Sequence, residues 1–205
     1  MARQLKFWFD VSCPYCWITS RWIKEVEKVR DIEVQWVPMS LSVLNEGREE
    51  LPEDYKRKMQ ANWGPARVCA AVATEHPDKL DALYTAFGEQ LHPGGKGARE
   101  GYSAYNEVII EVLDSLGLHE YAEIADTDTW DAALREYHQS AMDAVGDEVG
   151  TPVVRLGDVA FFGPVLTRIP RGEDAGRIFD AAFELAQYPH FYEIKRSRNE
   201  RPAFD

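Results

Sequence analysis

Cysteine is scarce in this chain, with three residues among 205, at positions 13, 16 and 69. So few exclude a disulfide framework, and no second pair stands at the spacing a structural zinc site needs. Cations are also in deficit: 23 Lys and Arg face 35 Asp and Glu, for a formal net charge of −12. That balance argues against nucleic-acid partners, whose affinity comes from neutralised phosphates. No apolar run approaches the ~18 residues expected of a membrane span. Met1-Ala2-Arg3-Gln4-Leu5-Lys6 leads straight into a strand pattern, leaving no room for a secretory signal and pointing to the cytoplasm. Low-complexity tracts and the glycine fingerprints of flavin or dinucleotide sites are missing too, so no tightly bound cofactor is expected. What remains is a globular composition, 45% hydrophobic, long enough for one domain or one domain with an insertion.

Two of the cysteines lie in Phe7-Trp8-Phe9-Asp10-Val11-Ser12-Cys13-Pro14-Tyr15-Cys16-Trp17. The apolar run reads as a buried strand, and Ile18, Trp22, Ile23, Val26 and Val29 follow at helical spacing. Cys-x-x-Cys at a strand-to-helix junction is a redox pattern. Free backbone N–H groups and the helix dipole stabilise a thiolate at Cys13. Cys16, one turn on, can attack a mixed disulfide formed at Cys13 and release the product. Pro14 suits the first helical turn, where its missing N–H costs nothing. Tyr15 stands exposed between the cysteines as a substrate contact or a tolerated surface residue.

In chain order, Lys6–Asp10 is a strand, residues 13–30 a helix, and Ile32–Pro38 a second strand, a βαβ opening with a parallel pair. Residues 40–146 are almost wholly helical in pattern. Tyr55, Met59, Ala66, Ala70 and Ala73 form one stripe, broken at Gly64-Pro65, which is expected to end one helix and start another. Leu80, Leu83, Tyr84, Phe87 and Leu91 form the next. Tyr102, Tyr105, Ile109, Val112, Leu113 and Leu116 form a third, closed by Gly117, and Trp130, Ala133, Leu134, Tyr137, Ala141 and Val145 a fourth. Val153–Phe162 returns to strands around a Gly157-Asp158 hairpin turn. The last helix spans residues 172–187, with Ile178, Phe179, Ala182 and Leu185 expected to face the sheet. The expected organisation is a framework of residues 1–39 and 147–187, an inserted helical subdomain of residues 40–146, and an extension of residues 188–205.

Asn45 and Tyr55 open the insertion, where it should meet the redox turn, and polar groups at that seam could hold a thiol or an aromatic ligand. The plainer roles are a helix cap for Asn45 and core packing for Tyr55. His92 begins the glycine-rich connection His92-Pro93-Gly94-Gly95-Lys96-Gly97, as a substrate contact or a solvated loop residue. Cys69, among small apolar neighbours, reads as a buried, inert thiol. Trp17 and Trp22 are core or pocket wall. The basic, aromatic tail reads as a packed extension or a segment for an acidic partner.

Strand, Cys-Pro-Tyr-Cys helix, strand, helical insertion, Thr-Pro before a hairpin and closing helix together resemble the thioredoxin fold in its DsbA-like form. More closely, Phe7–Trp22, with Gly150-Thr151-Pro152, Phe161–Leu166 and Ile169–Glu173, resembles the actinobacterial DsbA-family mycothiol-dependent nitroreductases. That family carries Pro-Trp between its cysteines; this chain has Pro14-Tyr15, and either aromatic can stack on a flat substrate. The resemblance implies an α/β thioredoxin-like fold, Cys13 as nucleophile and Cys16 as resolving thiol. It also implies a cis-proline loop at Thr151-Pro152, whose backbone would pair with substrate beside the sulfurs. The activity implied is reduction of small electrophiles such as nitroaromatics, with mycothiol or another low-molecular-weight thiol as electron donor. The alternatives are a protein or mixed-disulfide oxidoreductase, and a kappa-class glutathione-transferase-like 2-hydroxychromene-2-carboxylate isomerase, which needs no resolving cysteine. A helical lid over an enclosed apolar pocket favours the small molecule. A monomer or a homodimer is expected.

Overall fold

A computed structural model of the chain describes residues 2–205. Met1, part of the expected first segment, lies outside them. Strand β1 (Arg3–Phe9) is central, flanked by parallel β2 (Ile32–Pro38) and antiparallel β3 (Val153–Leu156), with β4 (Val159–Phe162) outside β3. Phe7 sets the register against Trp36 on one side and Val154 on the other. Alternation along β1 divides the core: Leu5, Phe7 and Phe9 join the main apolar cluster, while Trp8 faces a second one with Val37, Met39, Met142 and Val153. Both faces of its Phe7–Phe9 end are therefore covered, which is why those residues read as a continuous apolar run.

Helix α1 (Pro14–Val26) makes the crossover from β1 to β2 and packs on the last helix, where the Trp22 indole N–H donates to the Ala175 carbonyl at 3.0 Å. It is shorter than expected: residues 27–30 turn so that the chain can enter β2 beside β1. Between β2 and β3 come α2 (Leu41–Leu44), α3 (Glu53–Glu75), α4 (Leu80–Leu91), α5 (Asn106–Leu116) and α6 (Asp131–Val145). The hairpin turn falls as expected, with Leu156 opposite Val159 and Gly157 at a φ of 62°. Gly117 ends α5 in the left-handed conformation. Among the described residues, no helix is long and apolar enough to cross a membrane.

Three local expectations are corrected. Helix α3 runs unbroken through Gly64-Pro65. Pro65 is buried there, and a Cβ on Gly64 would stand only 3.3 Å from Ile109, so close packing holds the helix together against the proline. Tyr102 lies outside α5 and is exposed. Helix α7 (Gly172–Ala186) buries Ala175, Gly176, Phe179 and Phe183, whereas Ile178 and Leu185 face out. Its inward stripe is turned because Gly176 must pass under the Arg30 guanidinium, which binds Glu173 and Asp180 on the same helix.

The seam between α4 and α1 is equally close. A Cβ on Gly88 would lie 2.1 Å from the Trp17 ring. Gly88→Ala is expected to destabilise the fold by about 1–3 kcal/mol through overpacking. Gly150→Ala, in open space without a positive φ, should change stability by less than about 0.5 kcal/mol. Urea unfolding of the two variants measures the contrast.

Candidate active site

Asp10 follows β1 directly, and the chain turns there: the Cys13 N–H donates to the Asp10 carbonyl at 3.1 Å. The turn puts Cys13 at the N-cap of α1 and Pro14 at its first position. The Cys16 N–H points at Cys13 Sγ from 3.5 Å, so the nucleophile candidate sits against a free helical donor. Cys13 is 7% exposed and Cys16 fully buried, and both are free thiols. Burial, and then Cys13 itself as hydrogen-bonding and charged neighbour, push the Cys16 thiol well up.

Thr151 reaches both sulfurs across the sheet. Its carbonyl lies 3.8 Å from Cys13 Sγ and its hydroxyl 2.7 Å from Cys16 Sγ. The Thr151-Pro152 peptide bond is cis, and so is Gly163-Pro164 in the neighbouring loop. The two loops are tied together and to α1. The Gly163 N–H donates to the Pro152 carbonyl at 2.8 Å, and the Thr19 hydroxyl of α1 donates to the Pro164 carbonyl at 2.8 Å.

The other expected residues are brought to the same place unevenly. Asn45 caps α2 through its own amide, which donates to the Leu41 carbonyl at 2.8 Å and reaches the Tyr55 hydroxyl at 3.5 Å. Tyr55 lies near enough to the cysteine turn that Asp10 and Cys13, after burial, push its phenol up. His92 is no solvated loop residue. It ends α4, its Nε2 contacts the Val11 carbonyl at 3.1 Å, and its ring stacks on Trp17 with centroids 5.8 Å apart. Tyr15 is half-buried beneath the Arg198 guanidinium, 4.9 Å from the ring centroid. Cys69 is buried, and burial pushes its thiol up, as suits an inert position.

Asp10 is a buried residue beside the cysteines that the sequence pattern did not single out. Its carboxylate is 2% exposed; one oxygen accepts from the Ser12 N–H at 2.8 Å and the Ser12 hydroxyl at 2.5 Å, the other from the Leu41 N–H at 2.6 Å. Burial pushes its carboxyl up, and these bonds pull the other way. An acid closing an apolar strand, three residues before a cysteine, was the signal available.

Neither of two cavities in the chain is the enclosed apolar pocket expected beside Cys13. One cavity, of about 430 Å³, is lined by Lys24, Asp81 and Glu89; another, of about 360 Å³, lies by Trp63, Arg67 and Tyr102. Both are elsewhere. Beside the cysteine turn, Arg198 lies over Tyr15 and Phe204 packs on the His92 ring at 5.6 Å.

The chain is similar to known proteins over most of its length. The model of an Rv2466c-like family, described as mycothiol-dependent nitroreductase Rv2466c, matches residues 12–196. The uncharacterized protein Rv2286c of Mycobacterium tuberculosis is 29% identical over 195 residues, covering 94% of this chain and 81% of that protein. Among solved structures, the cytosolic disulfide reductase DsbM from Pseudomonas aeruginosa with GSH superposes with a TM-score of 0.56 at 13% identity, over 89% of this chain and all of that one. Oxidoreductase DsbA from Xylella fastidiosa gives 0.54 at 15% identity, over 89% of this chain and 85% of that one. These two similarities establish a DsbA-like thioredoxin fold.

Burial holds the His92 imidazole down, from 6.5 to about 4. Between those values the unfolded chain binds the proton that the folded state refuses, so stability falls as pH drops through that window. Denaturant unfolding at about pH 7 and about pH 4.5 should show the wild type losing roughly 2 kcal/mol more than His92→Gln. Equal losses would remove His92 as an acid-labile element.

Proposed function

The chain belongs to the mycothiol-dependent nitroreductase family and is a thiol oxidoreductase, and from that premise we propose that it uses Cys13 and Cys16 to reduce small electrophiles in the cytoplasm. The observation that carries the reading is the placement of the two sulfurs: one at a helix N-terminus at the surface of the core, one buried behind it, both against Thr151. With a mixed disulfide, the Cys13 thiolate attacks one sulfur, a Cys13–S bond forms, and the partner thiolate leaves. Cys16 then loses its proton and attacks Cys13 Sγ, forming the intramolecular disulfide and expelling the second thiolate. Before the first step, Cys13 helps keep Cys16 protonated. Once Cys13 is covalently bound its charge is gone, and that part of the restraint on Cys16 goes with it.

With a nitroaromatic, two electrons from the dithiol and two protons convert the nitro group to nitroso and water. Two molecules of a small thiol, for which the family points to mycothiol, then reduce the disulfide and leave as their own disulfide. Tyr15 and Tyr55 are the aromatic groups beside the redox turn that suit a flat substrate. The Thr151 backbone, Pro152, Asn45 and His92 complete the proposed binding rim. Cys16 favours this reading over an isomerase, which has no use for a resolving thiol.

Single-turnover mixing of reduced protein with a nitroaromatic, and separately with a mixed disulfide of a small thiol, tests the proposal. The dithiol should be consumed one for one in each case, and Cys13→Ser should consume neither oxidant. Cys16→Ser should hold one small thiol per chain at Cys13, visible by mass spectrometry. A reduced wild type that survives both oxidants overturns the assignment.

A further inference from the structure

Beyond α7 the chain is exposed, and Tyr192 and Ile194 point their apolar side chains into solvent at 87% and 76% exposure. Residues 198–204 then return to the site and are held there. Arg198 lies over Tyr15, and Phe204 packs on His92 and into the main apolar cluster. Between these ends, the Glu200 carboxylate takes the Thr167 hydroxyl and Arg168, and the Ala203 N–H donates to the Thr167 carbonyl at 2.8 Å. The segment is thus fixed at both ends to residues flanking Cys13: Tyr15 follows it, and His92 contacts Val11 before it. All of these strap residues lie beyond residue 196, where the family match ends.

We infer that residues 198–204 form a strap that determines substrate size, closing one rim of the redox turn so that low-molecular-weight thiols and electrophiles reach Cys13 while polypeptide disulfides do not. A thioredoxin-like site open on this side can take an extended chain along its cis-proline loop. Here the flank of the turn is already occupied by the protein's own extended segment. The inference rests on the redox role proposed above for Cys13, and it adds which partners that thiol can meet.

Alkylation separates the two claims. Reduced wild type and the double variant Arg198→Gln with Phe204→Ala are treated with iodoacetamide and with a maleimide carrying a long polyethylene glycol chain. Modification of Cys13 is followed by mass. The bulky reagent should react about tenfold or more faster with the variant, while iodoacetamide rates stay within about threefold, because only the open state admits the large reagent. Glu200→Gln, which loosens the middle anchor alone, should give a smaller gain of the same kind and serves if the double variant does not fold. Exchange is then measured with a mixed disulfide of a small thiol and with an unfolded protein disulfide. The variant should gain about tenfold toward the protein disulfide alone. Equal bulky-reagent rates in wild type and variants overturn the strap. Differential alkylation with no disulfide exchange by any form upholds the strap and overturns the redox reading.

Discussion

A single buried carboxylate ties the parts of this molecule together. Asp10 follows the central strand, and its two oxygens accept from Ser12 on the cysteine turn and from Leu41 at the start of the helical insertion. An unpartnered carboxylate in that position would cost several kcal/mol. Two backbone N–H groups and a hydroxyl offset the cost only if turn and insertion both stay in place. The same bonds therefore orient Cys13 and attach the helices to the sheet. Charge adds a second consequence, since an ionised Asp10 contributes to pushing up Tyr55 and Cys69.

Around that point the seam is aromatic. Phe9 stacks on Tyr84 at 3.9 Å, Tyr84 meets Trp17 edge-on at 6.0 Å, and Trp17 stacks on His92, which carries Phe204. The rings come in turn from β1, α4, α1, α4 and the strap, so framework, insertion and tail share one apolar continuum. Gly88 lets α4 come close enough for Trp17 to join it. Rigid placement of His92 is a product of this packing, and its resistance to protonation follows from the same burial.

Much of the fold was legible from local pattern. Phe7–Trp17 announced a strand, a turn and a helix carrying two cysteines, and Gly157-Asp158 announced the hairpin. Helical periodicity found the stripe from Leu80 to Leu91, every member of which is buried. Where the reading failed, a tertiary contact had overruled a local preference. Pro65 stays within a helix because Gly64 packs on Ile109, and the buried face of α7 is turned by the passage of Gly176 under Arg30. His92 resembled a loop residue only because its neighbours Trp17 and Phe204 are distant in sequence.

The sequence by itself determined a Cys-Pro-Tyr-Cys turn at a helix start, and its resemblance to a known family added a proline loop at Thr151-Pro152. A cysteine spacing and a helix start are properties of a few residues, and they survive being read in isolation. Only the tertiary structure decided what surrounds that turn. Thr151 meets two sulfurs 138 and 135 residues away, Asp10 meets Leu41, and residues 198–204 fold back over Tyr15 and His92. Contacts of that range depend on how the sheet, the insertion and the tail pack together, and no local periodicity encodes such packing.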